Sequence, residues 1–382
     1  MLYRRFGKTD EMVSILGFGC MRLPLISKND PTSIDEKKST DLIRFAIDQG
    51  VNYIDTAYPY HGKGMRSGGQ SEPFLAKVLK DGYRDKVKLA TKLPSWLIKT
   101  REDMDKYLND QLKRLETDHI DFYLLHALNK DVWNNLKKNG VDEFLDSALK
   151  DGRIKYAGFS FHDKLDAFKE IADYYNWSFC QIQYNYLDEN FQAGKEGLRY
   201  ASKKDFGITI MEPLRGGKLV NSLPGEAKII LNKANNERTL PEWALKWVWN
   251  HPEVSVVLSG MNDMSQVVEN IKIANNAAPN SMTEDEFNAI DEVKDIVKQK
   301  TKVNCTACEY CMPCPVGVNI PGCFSAYNDH YIFNMDKLDS AYNRLTYSQK
   351  ASNCRQCGKC ESHCPQKIEI RKKLKKVKTL FE

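Results

Sequence analysis

Along the first 260 residues, short runs of Val, Ile, Leu, Phe and Tyr alternate with longer stretches in which apolar positions recur every three or four residues. The short runs fall at 15–20, 51–55, 87–92, 120–126, 154–160, 179–184, 207–211 and 254–259. They are almost continuously apolar, as strands covered on both faces must be. Helical spacing marks 40–49, 72–79, 102–115, 142–149, 164–175 and 240–249. Strands and helices alternating over about 250 residues predict a closed (β/α)8 barrel of the α/β class. An open doubly wound sheet is the alternative, but no G-x-G-x-x-G follows the first strand. Residues 284–300 predict a charged amphipathic helix that packs outside the barrel and leads into the tail. The expected domains are a barrel over 1–300 and a small second domain over 301–382, with a helix at 336–350 in its middle.

Composition narrows this little. The chain has 382 residues, 42% hydrophobic and 28% charged, with a net charge of +5. That profile is ordinary for a globular protein, and the mild charge does not argue for nucleic acid. No apolar run approaches the ~18 residues of a membrane span. The first ten residues, MLYRRFGKTD, contain no apolar leader, so the expected location is cytoplasmic, with no membrane partner. Basic residues concentrate only at 371–378, either a solvated helix face or a docking patch for an acidic electron carrier such as a ferredoxin or flavodoxin.

The tail changes the picture. Cys305-x2-Cys308-x2-Cys311-x2-Cys314 is followed by Pro315, and Cys354-x2-Cys357-x2-Cys360-x3-Cys364 by Pro365. Thiolates at every third position let a short loop wrap one cubane, and the last Cys before Pro can reach a second. This is the sequence form of a ferredoxin-like domain with two [4Fe–4S] clusters. The expected ligands are Cys305, Cys308, Cys311 and Cys364 for one, and Cys354, Cys357, Cys360 and Cys314 for the other. Zinc is the alternative, but it needs neither the third Cys in step nor the Cys-Pro ending. The first run has two residues before its last Cys and the second has three, which leaves the reach of Cys314 open. Cys20, Cys180 and Cys323 read as buried core.

In a (β/α)8 barrel, chemistry is built at the C-terminal ends of the strands. Asp55, Lys92 and His126 each end an apolar run, and Tyr60 lies five residues past Asp55. A phenol with a pKa near ~10 is a poor acid at neutral pH. Lys92 is expected to lower that value, with Asp55 holding Lys92 charged and His126 orienting a carbonyl oxygen. Such a site donates a proton to an oxygen while hydride arrives at its carbon. Arg22, after the first strand, either makes a surface ion pair or binds an anionic group at the same mouth.

These residues resemble the aldo-keto reductase family. Asn52-Tyr53-Ile54-Asp55-Thr56-Ala57-Tyr58-Pro59-Tyr60 with Ser71-Glu72 matches its most recognisable motif. Ala90-Thr91-Lys92 and Leu124-Leu125-His126 complete a tetrad, and Phe6-Gly7-Lys8-Thr9 with Leu16-Gly17-Phe18-Gly19 is similar to the family's start. The tail extends the resemblance to the subgroup with a C-terminal ferredoxin-like domain. The resemblance implies Asp55, Tyr60, Lys92 and His126 as catalytic, a small carbonyl substrate, and NAD(P)H across the barrel mouth. It implies Ser160 and Gln183 at the carboxamide, Met211 against the nicotinamide, and Leu214, Gly216, Ser259, Gly260, Gln266, Glu269 and Asn270 around phosphate and adenosine. Three positions depart from the family pattern. Phe161 stands where many relatives have Asn, Met211 where many have an aromatic residue, and Gly260 and Gln266 where many have Lys and Arg. No bidentate Arg grips a 2′-phosphate there, so NADH and NADPH both stay open, with Lys218 and Arg215 as other candidate grips.

A nicotinamide gives two electrons as hydride, whereas a [4Fe–4S] cluster carries one. Three readings follow: a carbonyl reductase carrying separate clusters, a flavin-dependent relay between clusters and a barrel substrate, and a non-enzymatic iron–sulfur sensor. A sensor has no need of the complete tetrad.

Overall fold

The computed structural model describes every residue except Cys308, Glu309 and Pro365. Two compact units divide the chain: Met1–Pro213 with Ala244–Met282, and Leu214–Trp243 with Thr283–Glu382. This grouping and the expected division at 300/301 differ in where they put residues 214–243 and 283–300. Helix Glu284–Lys300 packs on helix Gly225–Ala234, and both belong to the second unit. Thr283 and Glu286 form a capping box at its start, and Arg238 pairs with Glu286 at 2.8 Å.

The first unit begins with an antiparallel hairpin of β1 (Tyr3–Arg5) and β2 (Met12–Ser14). Eight parallel strands follow: β3 (Leu16–Gly19), β4 (Tyr53–Asp55), β5 (Lys88–Leu93), β6 (Ile120–Leu128), β7 (Ile154–Phe161), β8 (Phe179–Gln183), β9 (Gly207–Met211) and β10 (Val256–Ser259). They close in sequence order, with β10 pairing both β9 and β3. Every predicted barrel strand is present, and the closed sheet displaces the open alternative. Helices such as Glu36–Asp48, Ser71–Val78, Arg101–Leu115, Val141–Lys150 and Leu165–Tyr174 lie between strands, within a few residues of expectation. Local signals set their starts: Asp35 accepts from Lys38 N at 3.0 Å, and Thr100 and Asp103 form a capping box.

Side chains alternate along each strand, so one set fills the barrel. Phe6, Tyr53, Ala90, Phe122, Leu124, Phe179, Val256 and Leu258 form one buried cluster. The sequence reading missed the hairpin, whose strands are three residues long, the first of them carrying Arg4 and Arg5. Its consequence is the Phe6 ring, 4.5 Å from that of Phe122 and 5.3 Å from that of Phe179, which plugs the N-terminal end. Gly207 lets it in, because a Cβ there would come within 2.7 Å of the ring. With that end closed by apolar packing, only the opposite mouth remains for chemistry.

In the second unit, the helix expected at 336–350 is absent. That stretch forms short 3-10 turns at Ala341–Arg344 and Tyr347–Gln349, and the α-helix is Ile320–Phe333. Ser, Asn and Thr side chains compete locally for backbone groups, and Ser340 Oγ accepts from Tyr342 N at 3.2 Å. Asn319, by contrast, caps the true helix by accepting from Gly322 N, with Pro321 in the first turn. Ile320, Cys323, Phe324 and Tyr327 from this helix pack with Ile370, Leu374 and Val377 of helix Ile370–Phe381. No helix among the described residues is long and apolar enough to cross a membrane.

Candidate active site and cysteine hollows

The C-terminal ends of β4, β5 and β6 bring Asp55, Lys92 and His126 to one mouth, and the loop after β4 adds Tyr60. Lys92 Nζ donates to Asp55 Oδ1 and to the Thr56 carbonyl, both at 2.7 Å, and contacts Tyr60 OH at 3.3 Å. The ammonium also lies 4.8 Å from the centre of the Tyr60 ring. Lys92 is 0% exposed and Asp55 2%. A buried ammonium persists only when paired and hydrogen-bonded; burial works against the Lys92 charge, and Asp55 and Tyr60 together outweigh it and hold its pKa above the ordinary value. The His126 ring meets the Tyr60 ring edge-on, with centroids 6.0 Å apart. Burial first, then the charge of Lys92 and of His162, holds the His126 imidazole well below its ordinary pKa, so it is neutral.

Tyr60 corrects an expectation. Burial raises its phenol above the ordinary value, and the pull of Lys92 in the other direction does not overcome it. Desolvation of a phenolate outweighs one ammonium that is already shared with a carboxylate. The phenol therefore keeps its proton at neutral pH.

A second polar layer fixes this group from behind. Glu72 accepts from Thr91 Oγ1 and Gln111 Nε2 at 2.7 Å each and from Arg114 Nε at 2.8 Å. Gln111 Nε2 also donates to the Lys92 carbonyl, and Arg114 to the carbonyl of Gly69. Glu72 and Arg114 thus tie strand β5 to the loop carrying Tyr60. Sequence reading passed over Trp96. Its ring lies 5.2 Å from His126, and its Nε1 donates to Met65 O in that same loop. An aromatic residue four positions after the strand-ending Lys92 was the available signal.

The expected cofactor residues divide. Ser160 Oγ accepts from Ala127 N at 2.7 Å and keeps its own proton to donate. Gln183 Nε2 donates to Asp188 Oδ2 at 3.0 Å. Gln181, two residues earlier on the same face, was not singled out from the sequence. It is the register partner of Ser160, and its buried Oε1 has no hydrogen-bond partner. Met211 Sδ accepts from Gln181 Nε2. Ser259 Oγ accepts from Asn270 Nδ2 at 3.0 Å, and Gln266 Oε1 from Asn262 N. Gly260 is exposed, and Glu269 is half-buried on the helix Met264–Asn275. Leu214 and Gly216 belong to the second unit. Lys218 is committed to Asp329 at 2.6 Å, and Arg22 pairs with Glu212 at 3.1 Å. A free acceptor on Gln181 beside a free hydroxyl donor on Ser160 fits a carboxamide, which presents one donor group and one acceptor.

In the second unit the thiols gather in two hollows. Cys305, Cys311 and Cys364 line the first, together with Thr306, Ile320, Phe324 and Ile370. Cys314, Cys354, Cys357 and Cys360 line the second, with Arg355, Lys359 and Arg371. Cys308 lies outside the described residues. The exchange of the last Cys between runs is thus present in the packing, and the shorter spacing does not keep Cys314 from the far hollow. Ala307 and Gln356, each two residues after the first Cys of its run, both take left-handed φ (52° and 57°), so the two loops turn alike. Three described thiols line the first hollow and four the second, and thiolates are the ligand type a cubane takes. Cys20, Cys180 and Cys323 are buried, and burial pushes the Cys323 thiol up to about 12.

A closed barrel with a paired Lys–Asp–Tyr group at its mouth, joined to paired cysteine hollows, defines an oxidoreductase with an iron–sulfur unit. Residues 15–295 match the aldo/keto reductase family, and residues 304–369 match a 4Fe-4S dicluster domain. The chain belongs to the aldo/keto reductase family. It is 26% identical to L-galactose dehydrogenase of Arabidopsis thaliana, over 78% of this chain and 96% of that protein. It is also 26% identical to 6-dehydroglucose reductase of Novosphingobium aromaticivorans, over 70% and 88%. Among solved structures, the holo form of an aldo-keto reductase from Bacillus halodurans superposes with a TM-score of 0.62 at 26% identity, over 77% of this chain and 96% of that one.

Proposed function

We infer that the barrel transfers hydride between a nicotinamide dinucleotide and a carbonyl or alcohol, with Tyr60 donating the proton in the reducing direction. The observation that carries this reading is the buried Lys92 ammonium, shared between Asp55 at 2.7 Å and the Tyr60 hydroxyl at 3.3 Å. Ser160 and Gln181 would hold the carboxamide, and the nicotinamide, when bound, supplies hydride. The rest is the work of the chain's own residues. Tyr60 enters protonated, because burial keeps its phenol neutral. As negative charge grows on the substrate oxygen, the phenol proton moves to it, and Lys92 stabilises the phenolate left behind. Asp55 keeps Lys92 fixed, and neutral His126 offers one hydrogen bond to the same oxygen.

Tyr60→Phe tests the proton donor. Carbonyl reduction should fall by roughly 100-fold or more, the usual worth of a positioned general acid, with iron content unchanged. Wild-type turnover in that variant would remove Tyr60 from the role. A second reading places a flavin at the barrel mouth as a converter between two-electron and one-electron chemistry. Its ground is the pairing of a hydride-transfer site with one-electron clusters in a single chain, which a flavin would bridge.

A further inference from the structure

The two cysteine hollows differ in what surrounds the thiols. The first is lined by Thr306, Ile320, Pro321, Phe324, Gln366, Ile368 and Ile370, with no charged side chain among its described residues. The second is lined by three cations, Arg355, Lys359 and Arg371. Arg371 is partly neutralised by Glu361 at 2.8 Å, whereas Arg355, Lys359 and Cys357 are exposed. A four-thiolate iron–sulfur group is an anion that becomes more negative on reduction. Nearby cations favour the reduced form, and an apolar wall disfavours it.

The cations continue beyond the hollow. Arg371 opens the helix Ile370–Phe381, and Lys375 and Lys378 lie four and seven positions on, along the same stripe. Lys376 stands beside them, and all three lysines are exposed. Residues 350–382 hold ten Lys and Arg against three Glu, a net of +7 where the whole chain is +5, which leaves −2 for everything else. Arg355, Lys359 and Arg371 of that stretch line the second hollow and Lys375 and Lys378 continue from Arg371, whereas the part of it that lines the first, Cys364, Gln366, Ile368 and Ile370, contributes no charge there.

We propose that the second hollow is the electron port of the protein, and that the stripe Arg371–Lys375–Lys378 docks a small acidic one-electron carrier protein against it. The proposal rests on iron–sulfur groups occupying the hollows. One electron passes from the reduced carrier to the group held by Cys314, Cys354, Cys357 and Cys360. No bond forms or breaks, and no proton need move. The apolar hollow is then the lower-potential site of the pair.

The test is anaerobic stopped-flow reduction of the intact protein by a reduced, acidic [2Fe–2S] ferredoxin. The second-order rate should fall as salt rises. In Lys375→Glu/Lys376→Glu/Lys378→Glu it should fall by about tenfold or more, the scale of electrostatic steering. Lys28→Glu/Lys106→Glu/Lys113→Glu, which removes equal charge from the barrel unit, should change the rate by less than about twofold. A rate insensitive to salt and to the helix reversals overturns the docking proposal. So does retention on phosphatidylserine vesicles that the reversals abolish while the ferredoxin rate stays constant, since the face would then serve a membrane. Iron content and visible absorbance measured on the same samples separate the two failures. If iron is absent, the cluster assignment has failed. If iron is present and the rate is indifferent to charge, only the port has failed.

Discussion

The barrel mouth and the second cysteine hollow treat charge in opposite ways. At the mouth, the ammonium of Lys92 is fully buried and matched by Asp55, and the phenol and imidazole beside it are held neutral. At the hollow, Arg355 and Lys359 stand exposed beside thiols, and further lysines extend from Arg371 along the helix surface. The first arrangement suits an internal proton transfer, in which charge moves a few ångströms between groups already in place. The second suits charge that arrives from outside, because exposed cations act at a distance on an anionic partner. On the function proposed, the contrast is one between a two-electron site and a one-electron site within one chain.

The comparison breaks most severely at Lys92. Lys92→Met leaves Asp55 buried without its cation, which should cost about 3–5 kcal/mol of stability and abolish carbonyl reduction. Adding Asp55→Asn should return much of the stability, read as the denaturation midpoint, while activity stays lost. Recovery of both would mean the pair is structural only.

Cys357→Ala strikes the other region. If each hollow holds one cubane, this variant should lose about half of its iron, with carbonyl reduction by the barrel preserved. Full iron retention would remove Cys357 as a ligand.

The smallest effect is one of pH. His126 has a folded-state pKa lowered well below 6.5 by burial, so below that value the unfolded chain binds a proton that the folded chain does not. Stability should be intact above pH 6.5 and decline as pH falls through it, by at most about 1.4 kcal/mol per unit. A denaturation midpoint flat between pH 7.5 and 5.5 would show that this ring is not held neutral.

The barrel was legible because its signal is periodic: both-face burial makes each strand a continuous apolar run, and eight runs alternating with helices admit few folds. The tetrad was legible because three of its members end such runs. The errors fall where local pattern and packing part company. Three-residue strands, one of them Tyr-Arg-Arg, left no trace of the hairpin that delivers Phe6. Ser340, Asn343 and Thr346 turned a stretch with helical spacing into 3-10 turns. Gln181 and Gln183 share one face of one strand, and only packing shows that Asp188 engages the second and leaves the first open. Tyr60 was misjudged because a sequence displays its cationic neighbour but not the burial that outweighs it.

The most direct test of the division between the two regions is an anaerobic visible spectrum of the purified protein, taken before and after NADH or NADPH and again after a carbonyl is supplied. The account predicts that nucleotide is oxidised only once the carbonyl is present, with the iron–sulfur absorbance unchanged throughout. Bleaching of that absorbance by nucleotide alone would contradict it, because hydride electrons would then be reaching the cysteine hollows one at a time.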